Sequence, residues 1–255
     1  MVGKDALDYD AMVGGEAMNY PQVKIAFAST NYGPLWKPAA DTWLRVIGYT
    51  QRYLIQNGLG EIGAAGISDR TYTHSAGNKL IEDFMADESL SHIFLTESDM
   101  LLPDVCIIKL LDLRKPIASG VYFLRGGNGQ PCLFVRALSM AQGSYGMTPV
   151  SVFPTDTPFK LRGCPGLGCL LMEREIFTKI AYPWFDLAEG KFGSDLYFFT
   201  NALKAGVETW VDPRVRCGQI EYTVWMYDDY KKRVETDPTY GQSGYVLGMP
   251  LEVGI

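Results

Sequence analysis

The sequence predicts an α/β fold in which helices flank both faces of an open and mostly parallel sheet. Short apolar runs alternate with amphipathic segments between residues 23 and 123, which is the order of successive βαβ units. One of these runs, Ile93–Leu95, ends in two carboxylates, Glu97 and Asp99, at the place where open α/β sheets bind ligands. Beyond Arg125 the alternation gives way to turns and β-like segments, which indicates a second half of different organisation.

Hydrophobic periodicity and stop signals define the elements of the first half. In the first helix, apolar residues such as Trp43, Ile47 and Leu54 recur at helical spacing, and Gly58 follows as a stop signal. The predicted elements are strands at 23–28, 61–67, 93–97 and 117–123, and helices at 39–57, 75–87 and 103–113.

The second half begins after a glycine-rich turn at 126–129 and ends in an irregular segment. Its predicted elements are β-like segments at 132–136 and 150–153, strands at 169–172 and 207–211, a helix from residue 173 and a helix that ends near Gly206. The predicted organisation is a loosely packed leader at 1–20, one domain at 21–225 with halves at 21–125 and 126–225, and an irregular C-terminal segment at 226–255.

Charge and composition disfavour several classes of function. The net charge of −6 argues against a large basic surface that holds nucleic acid, although Arg125, Arg136, Lys160 and Arg162 allow a local basic patch. The 5 cysteines form no Cys-x-x-Cys pair, which disfavours a zinc site and favours reduced thiols in a cytoplasmic protein. We expect no membrane span, because no apolar run approaches ~18 residues. We expect no secretory signal, because residues 1–20 lack a basic segment followed by an apolar one.

Glu97 and Asp99 are the strongest local signal of chemistry. Because successive side chains of a strand alternate, two carboxylates separated by one residue point to the same side. Hard divalent cations such as Mg²⁺ and Mn²⁺ bind carboxylate oxygens, commonly together with phosphate oxygens. The alternative is a solvated strand end followed by a turn at 102–104, and the pair alone does not decide between the two.

Landmarks spread over residues 23–219 resemble the nucleotide-sugar glycosyltransferases of the GT-A type. They occur in the family's order and are a polar loop after the first strand, Asn78 on a helix, Glu97-Ser98-Asp99 at the metal-binding Asp-x-Asp position, a glycine-rich segment at 163–172, Ser194-Asp195 at a helix start, Val211-Asp212-Pro213 and Gly218-Gln219. The resemblance implies a Rossmann-like open sheet with a smaller antiparallel sheet on the acceptor side.

The resemblance also implies a cofactor and a role for each matching residue. Mn²⁺ or Mg²⁺ would stabilise the nucleotide diphosphate leaving group and would be bound by Asp99, Glu97 and Gln219. The base that deprotonates the acceptor would be Asp195, with a pKa lowered by the helix dipole, although an Asp at this position is also a common helix cap. Contacts with the donor are implied for Ser29, Thr30, Asn31, Arg70, Asn78, Glu97 and Ser98, and contacts with the acceptor for Gly166, Trp184 and Phe185. Ordinary turn, surface or core roles are the alternatives for these residues.

Three departures from the family pattern affect the expected ligand set. Glu97 stands where the family has its first Asp, and Ser194 replaces an acid, which leaves Asp195 as the carboxylate at that helix start. Gln219 stands where many relatives have a metal-binding His, and its amide oxygen is a neutral and weaker donor. The sequence therefore predicts metal dependence with a weakened set of ligands.

The leading hypothesis is a metal-dependent, inverting glycosyltransferase, with a UDP-sugar as the favoured donor. The acceptor would be a glycan, a protein or, as in some phage-type relatives, a hydroxymethylated DNA base, which the negative net charge disfavours. A nucleotidyltransferase is one alternative, but the loop at 29–34 lacks the basic residues that such enzymes carry there. A non-catalytic nucleotide-sugar-binding protein is the other, and it would account for Ser194 and Gln219.

Overall fold

The computed structural model describes residues 22–31, 35–68, 73–125, 129–139, 144–187, 193–221, 226–236 and 245–246. Within these ranges it contains the following strands: β1 (Val23–Thr30), β2 (Gly60–Ile67), β3 (His92–Glu97), β4 (Met100–Leu101), β5 (Ile117–Val121), β6 (Phe134–Ser139), β7 (Ser144–Val152), β8 (Phe159–Leu161), β9 (Gly163–Cys164), β10 (Cys169–Glu173), β11 (Thr209–Arg216), β12 (Gly218–Gln219) and β13 (Tyr245–Val246). The helices are α1 (Lys37–Gln56), α2 (Thr73–Ala86), α3 (Cys106–Asp112), α4 (Ile176–Lys179), α5 (Ser194–Lys204) and α6 (Tyr227–Thr236).

The central sheet of the described residues has seven strands in the order β2-β1-β3-β10-β5-β11-β8. Strands β2, β1, β3, β5 and β11 run in one direction, whereas β10 and β8 run in the other. A smaller sheet, β13-β7-β6-β9, is largely antiparallel, and β4 pairs with β12. The predicted α/β class, with a mostly parallel sheet and a smaller antiparallel one, is therefore confirmed.

The hydrophobic core lies on both faces of the central sheet because the strands alternate between two apolar sets. Phe27 and Phe94 point to one face, where they pack with Trp43 of α1 and with residues of α3. Ile93 and Leu95 point to the other face, which α2 and α5 cover. Strands buried on both faces read as continuous apolar runs, which is the pattern that predicts β1 and β3 from sequence.

The segment predicted to be irregular after residue 226 contains α6 and β13, so that expectation is wrong for these residues. Tyr227 and Tyr230 of α6 are buried in a third apolar cluster with Phe123 and Phe153. The rings of Phe153 and Tyr230 stack with centroids 4.9 Å apart. Charged residues dominate the other positions of this helix, which is why its apolar contacts are hard to detect in the sequence.

The remaining expectations about the elements can be compared with the described residues. The helix predicted from residue 173 is the four-residue α4, and the helix predicted at 103–113 is the shorter α3. The leader at 1–20 lies outside the described residues, as do Arg70 and the turn at 126–128. In the part of the chain that the structure describes, no helix has both the length and the apolar character required to cross a membrane.

Candidate active site

Three strands that run in the same direction end at one edge of the sheet, and a polar side chain follows each of them. Asp99 follows β3, Arg125 follows β5 and Gln219 ends the strand that follows β11. Directly after β3 and β11, the strands β4 and β12 pair, with Gln219 opposite Met100. This pairing brings Gln219 beside Asp99 at the carboxyl edge, where open α/β sheets bind ligands.

These strand ends border a cleft of about 460 Å³. Its walls combine acidic, amide, sulfur-containing and apolar side chains, and two candidate residues predicted from distant parts of the sequence, Glu97 and Asp195, both line it. The lining residues are Glu97, Tyr122, Leu124, Arg125, Cys132, Leu167, Leu187, Gly193, Ser194, Asp195 and Gln219.

Asp99 lies beside the cleft and is only 5% exposed. Its Oδ2 accepts a hydrogen bond from Nε2 of Gln219 at 3.2 Å and lies 3.3 Å from Nε of Arg125. Burial raises the pKa of Asp99, while the Arg125 charge and the Gln219 hydrogen bond oppose this increase. Oε1 of Gln219 is buried and has no hydrogen-bond partner among the described residues. One carboxylate oxygen thus receives two donors, and a neighbouring amide oxygen is left without one.

Glu97 is half-buried at the end of β3 and carries a strongly shifted pKa. Burial raises the pKa of Glu97 to about 8, and the negative charges of Asp99 and Asp195 add to the increase. Arg125 acts in the opposite direction. The excess of acidic groups means that a cation entering the cleft would be attracted, and that it would favour the ionised form of Glu97.

Asp195 lies in the first turn of α5, immediately after the N-terminal residue Ser194. Its Oδ1 accepts the backbone N–H of Leu196 at 2.8 Å, and its Oδ2 lies 3.7 Å from the thiol of Cys164. The sequence predicts a pKa lowered by the helix dipole, but this expectation is wrong in direction. Burial raises the pKa of Asp195 and outweighs the hydrogen bonds that favour its charged form.

The polar end of β1 lies next to the end of β3. Thr30 pairs with Glu97 across the two parallel strands, and the carbonyl of Thr30 accepts the N–H of Ser98 at 3.1 Å. Ser29 and Thr30 are fully buried, and Oγ1 of Thr30 has no partner among the described residues. The backbone N–H of Asn31 donates to Oγ of Ser68.

The glycine-rich segment forms one wall of the cleft through its packing on Tyr122. Gly166 has a φ of +70°, and a Cβ at this position would lie 1.9 Å from the Tyr122 hydroxyl, so only glycine fits. The N–H of Gly168 donates to that hydroxyl at 3.2 Å. Leu167, between the two glycines, lines the cleft. The structure thus places Gly166 behind the wall rather than on its surface.

Three residues that the sequence predicts to contact the donor or the acceptor are buried in the protein interior instead. Nδ2 of Asn78 donates to the carbonyl of Phe185 at 2.7 Å and its Oδ1 accepts the N–H of Phe185 at 3.0 Å, so both ends of this amide hold the backbone of the fold. The ring of Phe185 stacks on Phe198. Nε1 of Trp184 donates to the carbonyl of Phe177. An aromatic wall for the acceptor built from Trp184 and Phe185 is therefore not what the structure shows, because both rings are buried.

Tyr122 is not among the residues predicted from the sequence to form the site, and Arg125 is predicted there in a different role. Arg125 is predicted as part of a basic patch, yet it forms an ion pair with Asp99, while Lys160 of the same patch pairs with Glu208. Tyr122 and Arg125 follow the apolar strand β5, which runs parallel to β3. The sequence signal for both residues is their position as polar residues after a predicted parallel strand, where open α/β sheets bind ligands.

The oxygens near the cleft show whether a divalent cation suits this site. Among the described residues, no three His, Cys, Asp or Glu side chains lie close enough together to hold a metal ion. Glu97, Asp99 and Gln219 nevertheless bring two carboxylates and an unpartnered amide oxygen together. These are hard donors of the kind that Mg²⁺ and Mn²⁺ bind, together with phosphate oxygens and water. The residues therefore fit such a cation as part of a set that phosphate oxygens would complete.

Comparison with known proteins identifies solved structures of similar fold and low identity. No protein-family model matches this chain, and no curated protein matches it. The crystal structure of A197 from STIV matches 78% of this chain and 86% of that chain, with 15% identity and a TM-score of 0.51. The crystal structure of GalNAc-T7 with UDP, GalNAc and Mn²⁺ matches 78% of this chain and 43% of that chain, with 11% identity and a TM-score of 0.50.

The sheet and these neighbours define the fold class as an α/β, Rossmann-like fold of the GT-A type. The matched GalNAc-T7 structure was crystallised with UDP, GalNAc and Mn²⁺. Similarity at this level of identity shows the fold alone, because one fold hosts many functions. The activity of this chain must therefore be argued from its own cleft.

Proposed function

We propose that this protein is an inverting glycosyltransferase that moves a sugar from a nucleotide diphosphate donor, with a UDP-sugar favoured, to an acceptor hydroxyl. The observation that carries the proposal is the meeting of Glu97, Asp99, Gln219 and Asp195 around one cleft at the carboxyl edge of the sheet. The similar GalNAc-T7 structure, which holds UDP, GalNAc and Mn²⁺, supports a nucleotide-sugar as the donor.

The two ends of the donor would meet different groups at this edge. Its phosphates would lie toward Asp99 and Gln219, and its nucleoside toward Thr30, whose buried hydroxyl has no partner among the described residues. Glu97, Asp99 and Gln219 would hold Mn²⁺ or Mg²⁺, which supplies Lewis-acid stabilisation of the departing diphosphate when it is bound. Arg70, which the sequence predicts as a further donor contact, lies outside the described residues.

Asp195 is the proposed general base. The thiol of Cys164, a weak donor, lies 3.7 Å from its Oδ2, and this oxygen would accept the proton of an acceptor hydroxyl in its place. Burial raises the pKa of Asp195, and a carboxylate with a raised pKa is a stronger base than an exposed one. The proton would then lie on Oδ2 while the acceptor oxygen attacks the anomeric carbon.

The acceptor is proposed to be a glycan or a protein hydroxyl rather than a modified DNA base. The net charge is −6, and two cations of the candidate basic patch, Arg125 and Lys160, form ion pairs with Asp99 and Glu208. Both features weaken non-specific attraction to a phosphate backbone. Electrophoretic mobility of hydroxymethylated DNA with the protein tests this choice, and retarded DNA at moderate salt would overturn it.

Thermal unfolding with UDP, GDP, CMP and ADP, each with Mn²⁺ or with EDTA, tests donor binding. A ligand that binds the native state raises the Tm by mass action, so we expect UDP with Mn²⁺ to stabilise the protein. As a control, the variant Asp104→Asn should be stabilised by UDP with Mn²⁺ as much as wild type. Asp104 is an exposed carboxylate close to Asp99 in sequence, and it pairs with Arg45 outside the lining of the cleft. Stabilisation by none of the four nucleotides would refute the proposal.

Asp195→Asn separates transfer from binding. We expect this variant to lose about 10²–10⁴-fold in turnover of the UDP-sugar, as for loss of a general base, while UDP binding stays near the wild-type level. Wild-type protein that binds UDP but neither hydrolyses nor transfers any UDP-sugar would favour a binding protein. Release of pyrophosphate from a nucleoside triphosphate and a sugar phosphate would favour a nucleotidyltransferase.

A further inference from the structure

We propose, on the basis of the function proposed above, that Arg125 and a divalent cation compete for Asp99, and that Arg125 binds the donor phosphates once displaced. Arg125 would then have two alternative partners, a carboxylate of the protein and the diphosphate of the substrate. The proposal depends on how the backbone holds Arg125, on the charge balance of the cleft and on the geometry at Asp99.

Hydrogen bonds hold the backbone immediately before Arg125, while its side chain is accessible. The segment before it pairs with residues 130–132, in that the N–H of Leu124 donates to the carbonyl of Gln130 at 2.8 Å and the N–H of Cys132 donates to that of Tyr122 at 2.9 Å. The Arg125 side chain is 52% exposed, although it reaches a buried carboxylate. A long side chain that is half in solvent can move its head group while its Cα stays in place.

The charge balance gives Arg125 a special position in the cleft. It is the one basic residue among the described residues that line the cleft, whereas Glu97 and Asp195 line it and Asp99 lies beside it. Arg125 opposes the mutual repulsion of Glu97 and Asp99. A divalent cation would do the same with greater charge, so the guanidinium and the cation serve one electrostatic purpose.

The geometry at Asp99 indicates that Arg125 and a divalent cation would bind the same carboxylate oxygen and would therefore exclude each other. Nε of Arg125 approaches Oδ2, the same oxygen that accepts the Gln219 hydrogen bond. A cation in direct coordination with Oδ2 would repel the guanidinium and would favour Gln219 turning its unpartnered Oε1 inward. Arg125 would thus leave Asp99 when the cation binds.

A displaced Arg125 would be positioned for phosphate. Its guanidinium presents parallel N–H groups that match phosphate oxygens in a bidentate manner, which a lysine ammonium cannot do. Because the guanidinium already lines the cleft beside Asp99, phosphates bound to a cation on Asp99 would lie within its reach. Competition for Asp99 and binding of phosphate would therefore be coupled steps of donor binding.

The experiment uses Arg125→Gln in the full chain, with Arg214→Gln as the matched control. Arg214 also pairs with a buried aspartate, Asp212, but lies outside the lining of the cleft. Binding of Mn²⁺ alone is measured by electron paramagnetic resonance, and binding of UDP at saturating Mn²⁺ by calorimetry. We expect Arg125→Gln to bind Mn²⁺ about tenfold more tightly and UDP about tenfold more weakly than wild type.

The control variants distinguish this role from a structural one. Arg125→Lys keeps the charge and is expected to restore wild-type Mn²⁺ affinity while recovering UDP affinity only in part, because it lacks the planar fork. Arg214→Gln is expected to change neither affinity. Unchanged or weaker Mn²⁺ binding in Arg125→Gln overturns the competition, and unchanged UDP binding overturns the transfer to phosphate. Wild-type protein that binds no nucleotide would instead refute the proposed function, while the Mn²⁺ comparison would still decide the competition.

Discussion

Two buried aspartates of this protein each pair with an arginine, and the two pairs differ in how completely they are satisfied. Asp212 in β11 is fully buried, and Arg214 grips both of its oxygens, with Nε 2.8 Å from Oδ1 and Nη2 2.7 Å from Oδ2. Oδ1 also accepts the backbone N–H of Arg214 at 2.9 Å. At Asp99, by contrast, both recorded side-chain donors converge on Oδ2 at longer distances.

This difference between the two pairs indicates that a ligand would bind at Asp99 rather than at Asp212. The bidentate Asp212 pair has little to gain from a new partner, because charge-assisted hydrogen bonds already occupy its carboxylate. Around Asp99, acids outnumber cations, and buried oxygens of Gln219 and Ser194 have no partner among the described residues. Unsatisfied buried groups raise the free energy of the folded state unless something binds them, so they point to a functional site. The same two residue types therefore stabilise the fold in one place and form a candidate site in the other.

Among the variants predicted here, Asp99→Asn should have the largest effect, which is a loss of activity at the cleft without a loss of stability. Loss of the negative charge removes the strongest candidate ligand of the cation, so we expect Mn²⁺-dependent transfer to fall by about 10³-fold. The Tm should stay near the wild-type value, because Asn keeps the shape and still accepts the Gln219 hydrogen bond. Steady-state turnover of the UDP-sugar and a thermal melt measure the two quantities. Retention of Mn²⁺-dependent activity would show that Asp99 is not at the reacting centre.

Asp212→Ala should show the opposite pattern. Removal of this carboxylate deletes a bidentate ion pair and leaves the backbone N–H of Arg214 without its acceptor. We expect the free energy of unfolding to fall by about 2 kcal/mol, less than for a fully buried pair because Arg214 can turn into solvent. Urea unfolding measures this loss, and binding of UDP with Mn²⁺ should be unchanged. Weaker UDP binding at wild-type stability would place Asp212 in the site instead.

The fold could be predicted further than the site, because the fold depends on local patterns. Apolar runs predict the strands β1 and β3, and apolar residues at helical spacing predict the helix α1. These elements form as predicted. The convergence of Asp99 and Gln219 was predictable only through the resemblance, since 120 positions separate them. The pairing of β4 with β12, which are distant in sequence, creates this contact, and no periodicity within either segment predicts it.

The errors share a physical cause, which is competition for a side chain by the rest of the protein. Asn78 reads as a ligand in the sequence, yet the backbone of Phe185 occupies both ends of its amide. At Asp195 the helix N-terminus favours the anion, as expected, but burial is the larger effect and raises the pKa. Burial and distant hydrogen-bond partners are properties of the assembled fold, so a single sequence cannot reveal them.

His92, at the start of β3, should make the free energy of unfolding depend on pH. Burial lowers the pKa of His92 to about 4, whereas an unfolded histidine titrates near 6.5. The unfolded chain therefore binds more protons than the native protein between these values, and stability is lost as the pH falls from 6.5 through 4. We expect about 2 kcal/mol of this acid-dependent loss to be absent in His92→Gln, allowing for the partial exposure of the ring. Urea unfolding at pH 7 and pH 4 measures the difference, and equal losses in both proteins would contradict it.

Ser194→Ala should have the smallest effect, and Thr96→Val is its matched control. Oγ of Ser194 is buried in the cleft wall without a partner among the described residues, so its removal relieves an unsatisfied group. Oγ1 of Thr96 donates to the carbonyl of Gly168 at 2.7 Å, and its loss leaves that buried carbonyl without this donor. We expect Ser194→Ala to raise the free energy of unfolding by about 0.5 kcal/mol and Thr96→Val to lower it by about 1 kcal/mol. A Ser194→Ala protein less stable than wild type would show that the hydroxyl is already satisfied, and the contrast between the two sites would then rest on Gln219 alone.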